Sequence, residues 1–519
     1  MSAGETDSDG IEEPLKEAAE LGNAEAMFLV GVLRSQQGRM SESDSDGAMV
    51  WLRRAADLGN TEAMVSLGTQ RAKEGRVDED DVDGAVFWWR RAAELGDAVG
   101  MCNLGIHRLD EGRVHRSDPD GAEVWWRRAA KLGNAEAIYN LGVLRENEGV
   151  VNDTEPDSAI AWYRGAAELG HVQAIHNLGE IRAQQGRIDD NDPDGAVAWW
   201  RRAAALGSAG AMQRLGVVRA QQSRIDDTDP DGAVAWWRRA AALGDAGSMC
   251  NLGILRGNQG LEDDNDADGA VAWWRRAIDL GDANAMTNLG ILRNNQGQVE
   301  DNNPDGAVAW WRRAAELGNS DAMTKLGALR QRQGRSNDDS DGAASWYRRA
   351  AELGNAEGTC SLGDLRADHG RVNDEGADGA VVWWRQAADR GSAQAMYRLG
   401  NVEAIHGRID DDDPDGAVNW WRHAAALAHS GAMFNLGALR DQQGRDDDND
   451  PDGAVNWWRH AAALGHVDAT FNLGALREQQ GRVDGHDPDG AVVWYRRAAD
   501  LDNAAAVERL QKLGTGMAP

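Results

Sequence analysis

Residues 192–228 read Asp192-Pro-Asp-Gly-Ala-Val-Ala-Trp199-Trp200-Arg201-Arg202-Ala-Ala-Ala-Leu206-Gly-Ser-Ala-Gly-Ala-Met-Gln-Arg-Leu215-Gly216-Val-Val-Arg219-Ala-Gln-Gln-Ser-Arg224-Ile-Asp-Asp-Thr228. Asp192-Pro193-Asp194 reads as a helix start, with Asp192 as N-cap, proline at the first helical position and a second acid in the first turn. The pattern predicts a helix from Gly195 to Leu206, ended by Gly207 as a left-handed cap. At about 100° per residue, Ala196, Trp199, Trp200, Ala203, Ala204 and Leu206 fall in a stripe about 160° wide. Arg201 and Arg202 fall outside it. A second helix runs from about Ala209 to Gln222, with Ala211, Met212, Leu215 and Val218 on its apolar face.

The same phrase returns along the whole chain. Its Asp-Gly (once Asp-Ser) occurs fourteen times, from Asp9 to Asp489, at steps of 37 residues except for 36 between Asp305 and Asp341. Two short helices cannot bury such faces alone, so the pairs must stack. The expected fold is all-α: a right-handed α-solenoid of about 14 helix-turn-helix repeats, forming one domain over 1–519. The atypical ends, 1–45 and 489–519, read as capping repeats.

Composition narrows the function. The net charge is -31, from 55 Lys+Arg against 86 Asp+Glu. That excludes the basic footprint that nucleic acid or an anionic membrane surface requires. The basic side is nearly all arginine, which suits fixed pairing with carboxylates; biased coding composition explains it equally well. Cys102, Cys250 and Cys360 share one repeat position and lie whole repeats apart, which points to a reducing compartment. The acidic segment Met1–Pro14 carries no apolar run. A cytoplasmic location is therefore expected, with no membrane span.

The phrase Ala-x-x-Trp-[Trp/Tyr]-Arg-Arg-Ala-Ala-x-Leu-Gly, followed by Asn-Leu-Gly, resembles the Sel1-like repeat, one of the tetratricopeptide-like α-solenoids. Trp162-Tyr163-Arg164, Trp346-Tyr347-Arg348-Arg349 and Trp494-Tyr495-Arg496-Arg497 come closest to its core. The later asparagines match too: Asn103, Asn140, Asn177, Asn251, Asn288, Asn435 and Asn472. Two departures are the arginine at Arg219 and its equivalents, where the family has tyrosine, and Gln-Gly-Arg in the second turn. The resemblance implies a non-catalytic adaptor or scaffold that binds proteins or peptides, with the first helix of each pair lining the inner face. On that basis the candidate partner-binding residues are the pairs Arg201-Arg202, Arg238-Arg239, Arg275-Arg276 and Arg312-Arg313, with Asn251 and Asn288.

Other constellations carry competing readings. All 22 tryptophans lie in one dipeptide position per repeat, inside the apolar stripe, so core packing is expected over ligand stacking. Six acidic loops match the first half of an EF-hand calcium loop. They are Asp190-Asp192-Asp194, Asp227-Asp229-Asp231, Asp264-Asp266-Asp268, Asp301-Asn303-Asp305, Asp411-Asp413-Asp415 and Asp448-Asp450-Asp452, the first two and last two of them being the candidate metal residues. The twelfth position, where calcium needs a bidentate Glu, is arginine (Arg201, Arg238, Arg422, Arg459), so any site would be weak. A cation-responsive solenoid is the alternative function. An arginine ladder, Arg34 to Arg477, broken once by Glu403, is expected to bridge to aspartates of the adjacent loops. The histidines form no metal set, no nucleophile–base pair stands out, and no cofactor is implied. Catalytic groups should be unique, whereas here nearly every polar residue is repeated.

Overall fold

The computed structural model describes residues 9–336, 339–372 and 378–514, including 28 helices and, among these residues, no strand. Helices of 10 and 13 residues alternate, as in Ala196–Ala205 and Ala209–Gln221. The described chain groups into two compact units, residues 1–252 and 253–519. Each unit repeats the same helix pair. No helix of the described residues is long and apolar enough to cross a membrane.

Two expectations at the helix ends are corrected. Asp192 does not cap the first helix. It opens a turn instead: Gly195 N–H donates to the Asp192 carbonyl and Asp194 N–H to Asp192 Oδ1, both at 3.0 Å. Proline's fixed φ serves the second position of such a turn as well as a helix start, so the sequence alone did not separate the two. Gly195 is the true N-cap, and it offers no side chain to the helix. A Cβ there would lie 2.9 Å from Asp192 Cβ, so this turn favours glycine; the one copy with a side chain here, Ser158, uses it to accept Ala161 N–H.

The second correction concerns Leu206, which leaves the core and is 51% exposed. The helix stops at Ala205, and Gly207 adopts φ +89°. Ser208 N–H reaches the Ala203 carbonyl and Gly207 N–H the Ala204 carbonyl, both at 3.0 Å, closing a Schellman turn. Ser208 Oγ then accepts Ala211 N–H at 3.2 Å and starts the second helix. Three residues thus end one helix and cap the next.

The glycine of the Leu-Gly pair sets the stacking distance. A Cβ at Gly290 would lie 2.5 Å from Trp311 Nε1, and one at Gly142 would lie 2.5 Å from Tyr163 Cδ1. Gly216 sits against Trp237 in the same way. The second aromatic of each repeat therefore beds onto the bare backbone of the preceding helix, and Trp200, Trp237 and Trp311 are buried. Packed alanines (Ala196, Ala203, Ala211) and Leu215 complete the layer. Burying one such aromatic is worth about 1.5–3 kcal/mol.

Candidate interaction surface

The polar residues of the repeat first serve stacking. Asp231 is a hub. Its Oδ1 accepts the Trp236 indole N–H at 3.0 Å. Its Oδ2 accepts Arg219 Nη2 at 2.9 Å, Arg224 Nη1 at 3.1 Å and Arg201 Nη2 at 3.1 Å. Arg219 and Arg201 belong to the preceding pair, so one carboxylate ties two repeats together. Burial works to raise its pKa, but the indole and the guanidinium groups prevail and hold it below the usual carboxylate range. The same balance brings Asp46, Asp157 and Asp341 down to about 2.

The arginine ladder behaves as expected. Arg219 is fully buried, 0% exposed. It forks onto Asp190 at 2.8 and 2.9 Å, onto Gln222 at 2.8 Å, and onto the carbonyl and carboxylate of Asp231. A buried guanidinium is tolerable only with its donors so occupied.

That commitment decides what the acidic triads do. Asp190 serves Arg219, Asp192 accepts both Nε and Nη2 of Arg187 at 2.8 and 2.9 Å, and Asp194 holds Trp199 and Arg182. Asp229 is forked by Arg224, and Asp227 lies 4.0 Å from Arg238. Asp411 pairs with Arg440, Asp413 with Arg408, Asp448 with Arg477, Asp450 with Arg445, and Asp452 with Arg440. The carboxylates thus turn to arginines, some of them shared as Arg187 is by Asp192 and Asp194 and Arg224 by Asp229 and Asp231, and a guanidinium stands where a metal ion would have to sit. Among the described residues, no three His, Cys, Asp or Glu side chains form a group that could hold a metal ion.

The candidate arginine pairs lie on the exposed face of the first helices. Arg201 is 40% exposed and also bridges forward to Asp231; Arg275 stands 3.5 Å from Asp305 and Arg312 stands 3.0 Å from Asp341. The second arginine lies over the first tryptophan: Arg202 at 5.6 Å from Trp199, Arg239 at 4.6 Å from Trp236, Arg276 at 4.4 Å from Trp273 and Arg313 at 4.6 Å from Trp310. Equivalent pairs, Arg53-Arg54 and Arg90-Arg91, line shallow grooves on this face. The asparagine row does not join them. Asn251 and Asn288 are half-buried on second helices, and Asn288 lines a different groove, floored by Trp274.

Three features escaped the sequence. The tryptophan–aspartate bond could have been found from the constant five-residue offset. The exposed leucine row, Leu206 and its equivalents, was signalled by the left-handed glycine that follows it. His429 and His466 cap second helices, with Nδ1 accepting Ala432 N–H at 3.1 Å and Ala469 N–H at 3.2 Å.

Tandem helix pairs, with glycine slots for aromatics and buried arginine clasps between neighbours, define an α-solenoid repeat protein. Within that class the chain belongs to the Sel1 repeat family. The Sel1 repeat model matches nine consecutive copies over residues 24–355, a short copy at 374–392, and three more over 393–503. Among solved structures the chain is similar to c5321, a protective antigen present in uropathogenic Escherichia coli strains displaying an SLR fold. The two share 26% identity over 98% of each chain, with a TM-score of 0.53. It is also similar to a Sel1 repeat protein from Oxalobacter formigenes, at 25% identity, 63% of this chain, 98% of that one and a TM-score of 0.44. No curated protein matches the chain.

Proposed function

We propose that this chain is a non-catalytic scaffold that holds partner proteins or peptides along its stacked helix pairs. The observation that carries this reading is the division of labour among its arginines. The Arg219 row is consumed by stacking, whereas the Arg202 row lies over tryptophan on an exposed face, beside an Arg201 row that bridges forward to the hub aspartates yet stays 40% exposed at Arg201. Arginine over tryptophan is a surface that recognises carboxylates and peptide backbone through planar donors. Arg201, Arg202, Arg238, Arg239, Arg275, Arg276, Arg312 and Arg313 are the residues assigned to it, with Asn251 and Asn288 on the second-helix side. The acidic balance points the scaffold toward proteins, away from nucleic acid and anionic membrane. Three buried cysteines, lying whole repeats apart, suit a reducing, cytoplasmic setting.

Cross-linking in the native cell, with quantitative mass spectrometry, tests the reading. Arg202→Glu combined with Arg239→Glu should deplete the partners recovered with the wild-type chain, with the melting temperature little changed. Undiminished recovery of every partner would remove the arginine rows from the binding surface.

A further inference from the structure

In an array of near-identical copies, residues common to all copies do the stacking, and an exposed departure in one copy is free to select a partner. The departures concentrate at one place. Glu403 is the single break in the arginine ladder, and two residues later stands Ile405. Every equivalent of Ile405 is polar, for example Gln184, Gln221, Asn258, Asn295 and Gln442. Yet Ile405 is 83% exposed.

The groove beside it is larger than two of its counterparts. Between second helices Ala393–Ile405 and Ser430–Gln442 the cavity is about 530 Å³. The equivalent groove at Asn258 and Asn295 is about 190 Å³, and that at Gln36 and Lys73 about 290 Å³. The cause is visible in the lining. Ala438, like Ala328 and Ala475 in their copies, is smaller than the Ile291 of the narrower groove and opens the floor; Ile405 replaces Asn258 at the rim and is the departure particular to this copy, joining Ile409, whose position is aliphatic in most copies, as at Ile188 and Ile225. Trp421 forms the floor, its indole N–H held by Asn401 Oδ1 at 3.1 Å.

Charge is displaced at the same joint. The hub Asp415 should meet a ladder arginine, but Glu403 stands there, buried and drawn to Arg408 at 2.9 Å. Among the described residues Arg385, whose equivalent Arg201 reaches its hub, makes no ion pair. Among the described residues no cation reaches the exposed Asp415 carboxylate. The loop that follows Ile409 is Asp410-Asp411-Asp412-Asp413, with Arg408, Arg422 and Arg440 as its near cations, so with Asp415 five carboxylates face three arginines. An enlarged apolar groove therefore opens beside an acidic loop that its own arginines do not neutralise.

We propose that this groove is a single-copy docking site for an extended segment of a partner protein, one that places an aliphatic side chain between Ile405 and Trp421 and a basic residue against the Asp410–Asp415 loop. This rests on the scaffold reading and gives it one address. The test presents the full chain, and separately its Ile405→Gln variant, to an array of nine-residue peptides with a fixed central leucine and either arginine or glutamate two positions later. Ile405→Gln restores the residue that neighbouring repeats carry at an exposed position. The wild-type chain should select the leucine–arginine peptides, and the variant should bind them at least about tenfold more weakly, the scale of one buried aliphatic side chain. Equal selection by both chains would overturn the groove and leave the scaffold standing. Preference for the glutamate peptides would overturn the charge assignment. Selection of no peptide by either chain would remove both the groove and the capture of short segments. Sedimentation of the two chains alone completes the test: dimerisation lost in Ile405→Gln would make the occupant a second copy and overturn the partner segment.

Discussion

At the scale of single residues, glycine and its absences govern this chain. Ala428 occupies φ +61° at the position where other copies carry glycine, as Gly207 does. A left-handed alanine costs roughly 1–2 kcal/mol, part of which glycine returns through greater freedom in the unfolded chain. Ala428→Gly should therefore stabilise the protein by about 0.5–1 kcal/mol, read as a higher denaturant midpoint with unchanged slope. The opposite outcome belongs to Gly290. An added methyl would meet the fully buried Trp311 ring at 2.5 Å, and a buried ring cannot swing aside into solvent. Gly290→Ala should cost about 1–3 kcal/mol or more by overpacking, visible as a lowered melting temperature. That a glycine recurs after Leu215 and its equivalents was legible in the sequence. What fills the space was not, because nothing local to Gly216 names Trp237, 21 positions later.

At the scale of the helix pair, the repeat was legible because its period is fixed, and its two misread boundaries share a physical cause. Asp-Pro-Asp satisfies turn and helix-start chemistry alike, and an amphipathic wheel drawn one residue too far puts Leu206 in the core. Departures from the repeat show which contacts matter. In the pair that follows Arg116, that arginine stands where Asp190 stands later, and so cannot accept from the ladder. Glu123, buried where other copies have valine, accepts from Arg145 instead. The two exchanges compensate each other: the ladder arginine keeps a carboxylate acceptor, though the acceptor no longer comes from the loop. The histidine caps carry a pH signature at this scale. His429 and His466 hold a helix N–H on an unprotonated Nδ1, and burial pushes both below the ordinary value near 6.5. Below about pH 6.5 the unfolded chain takes up protons that the folded chain resists, so stability falls as pH drops through that region. The double variant His429→Asn, His466→Asn keeps a capping acceptor that does not titrate. Urea melts between about pH 7.5 and 5.5 should show a shallower loss of stability than wild type.

At the scale of the whole molecule, 86 acids meet 55 bases, and the structure spends those bases on the acids closest to its joints. Carboxylates already forked by arginine offer a divalent ion little. Addition of about 1 mM calcium is expected to leave the melting temperature unchanged, whereas a cation-responsive array would shift upward by mass action. A stacked array opens where its nearest-neighbour coupling is weakest, since each pair is held only by the pairs beside it. Within residues 253–519 that place is the joint between Ala393–Ile405 and Ala417–Ala426, where Glu403 replaces the clasp that Arg440 supplies one repeat later with bonds of 2.6 and 2.7 Å to Asp411 and Asp452. Hydrogen exchange should be faster in these two helices than in the equivalent pair Ser430–Gln442 and Ala454–Ala463. Glu403→Arg would give Asp415 its missing partner and release Arg408 to Asp413 alone. Charge-assisted bonds of this kind contribute about 1.5–3 kcal/mol, less the Glu403–Arg408 pair that is given up. The expected result is slowed exchange confined to this joint, with about 1 kcal/mol of added stability. Exchange that is already uniform along 378–463 in the wild-type chain would show that the coupling does not depend on the buried arginine at all.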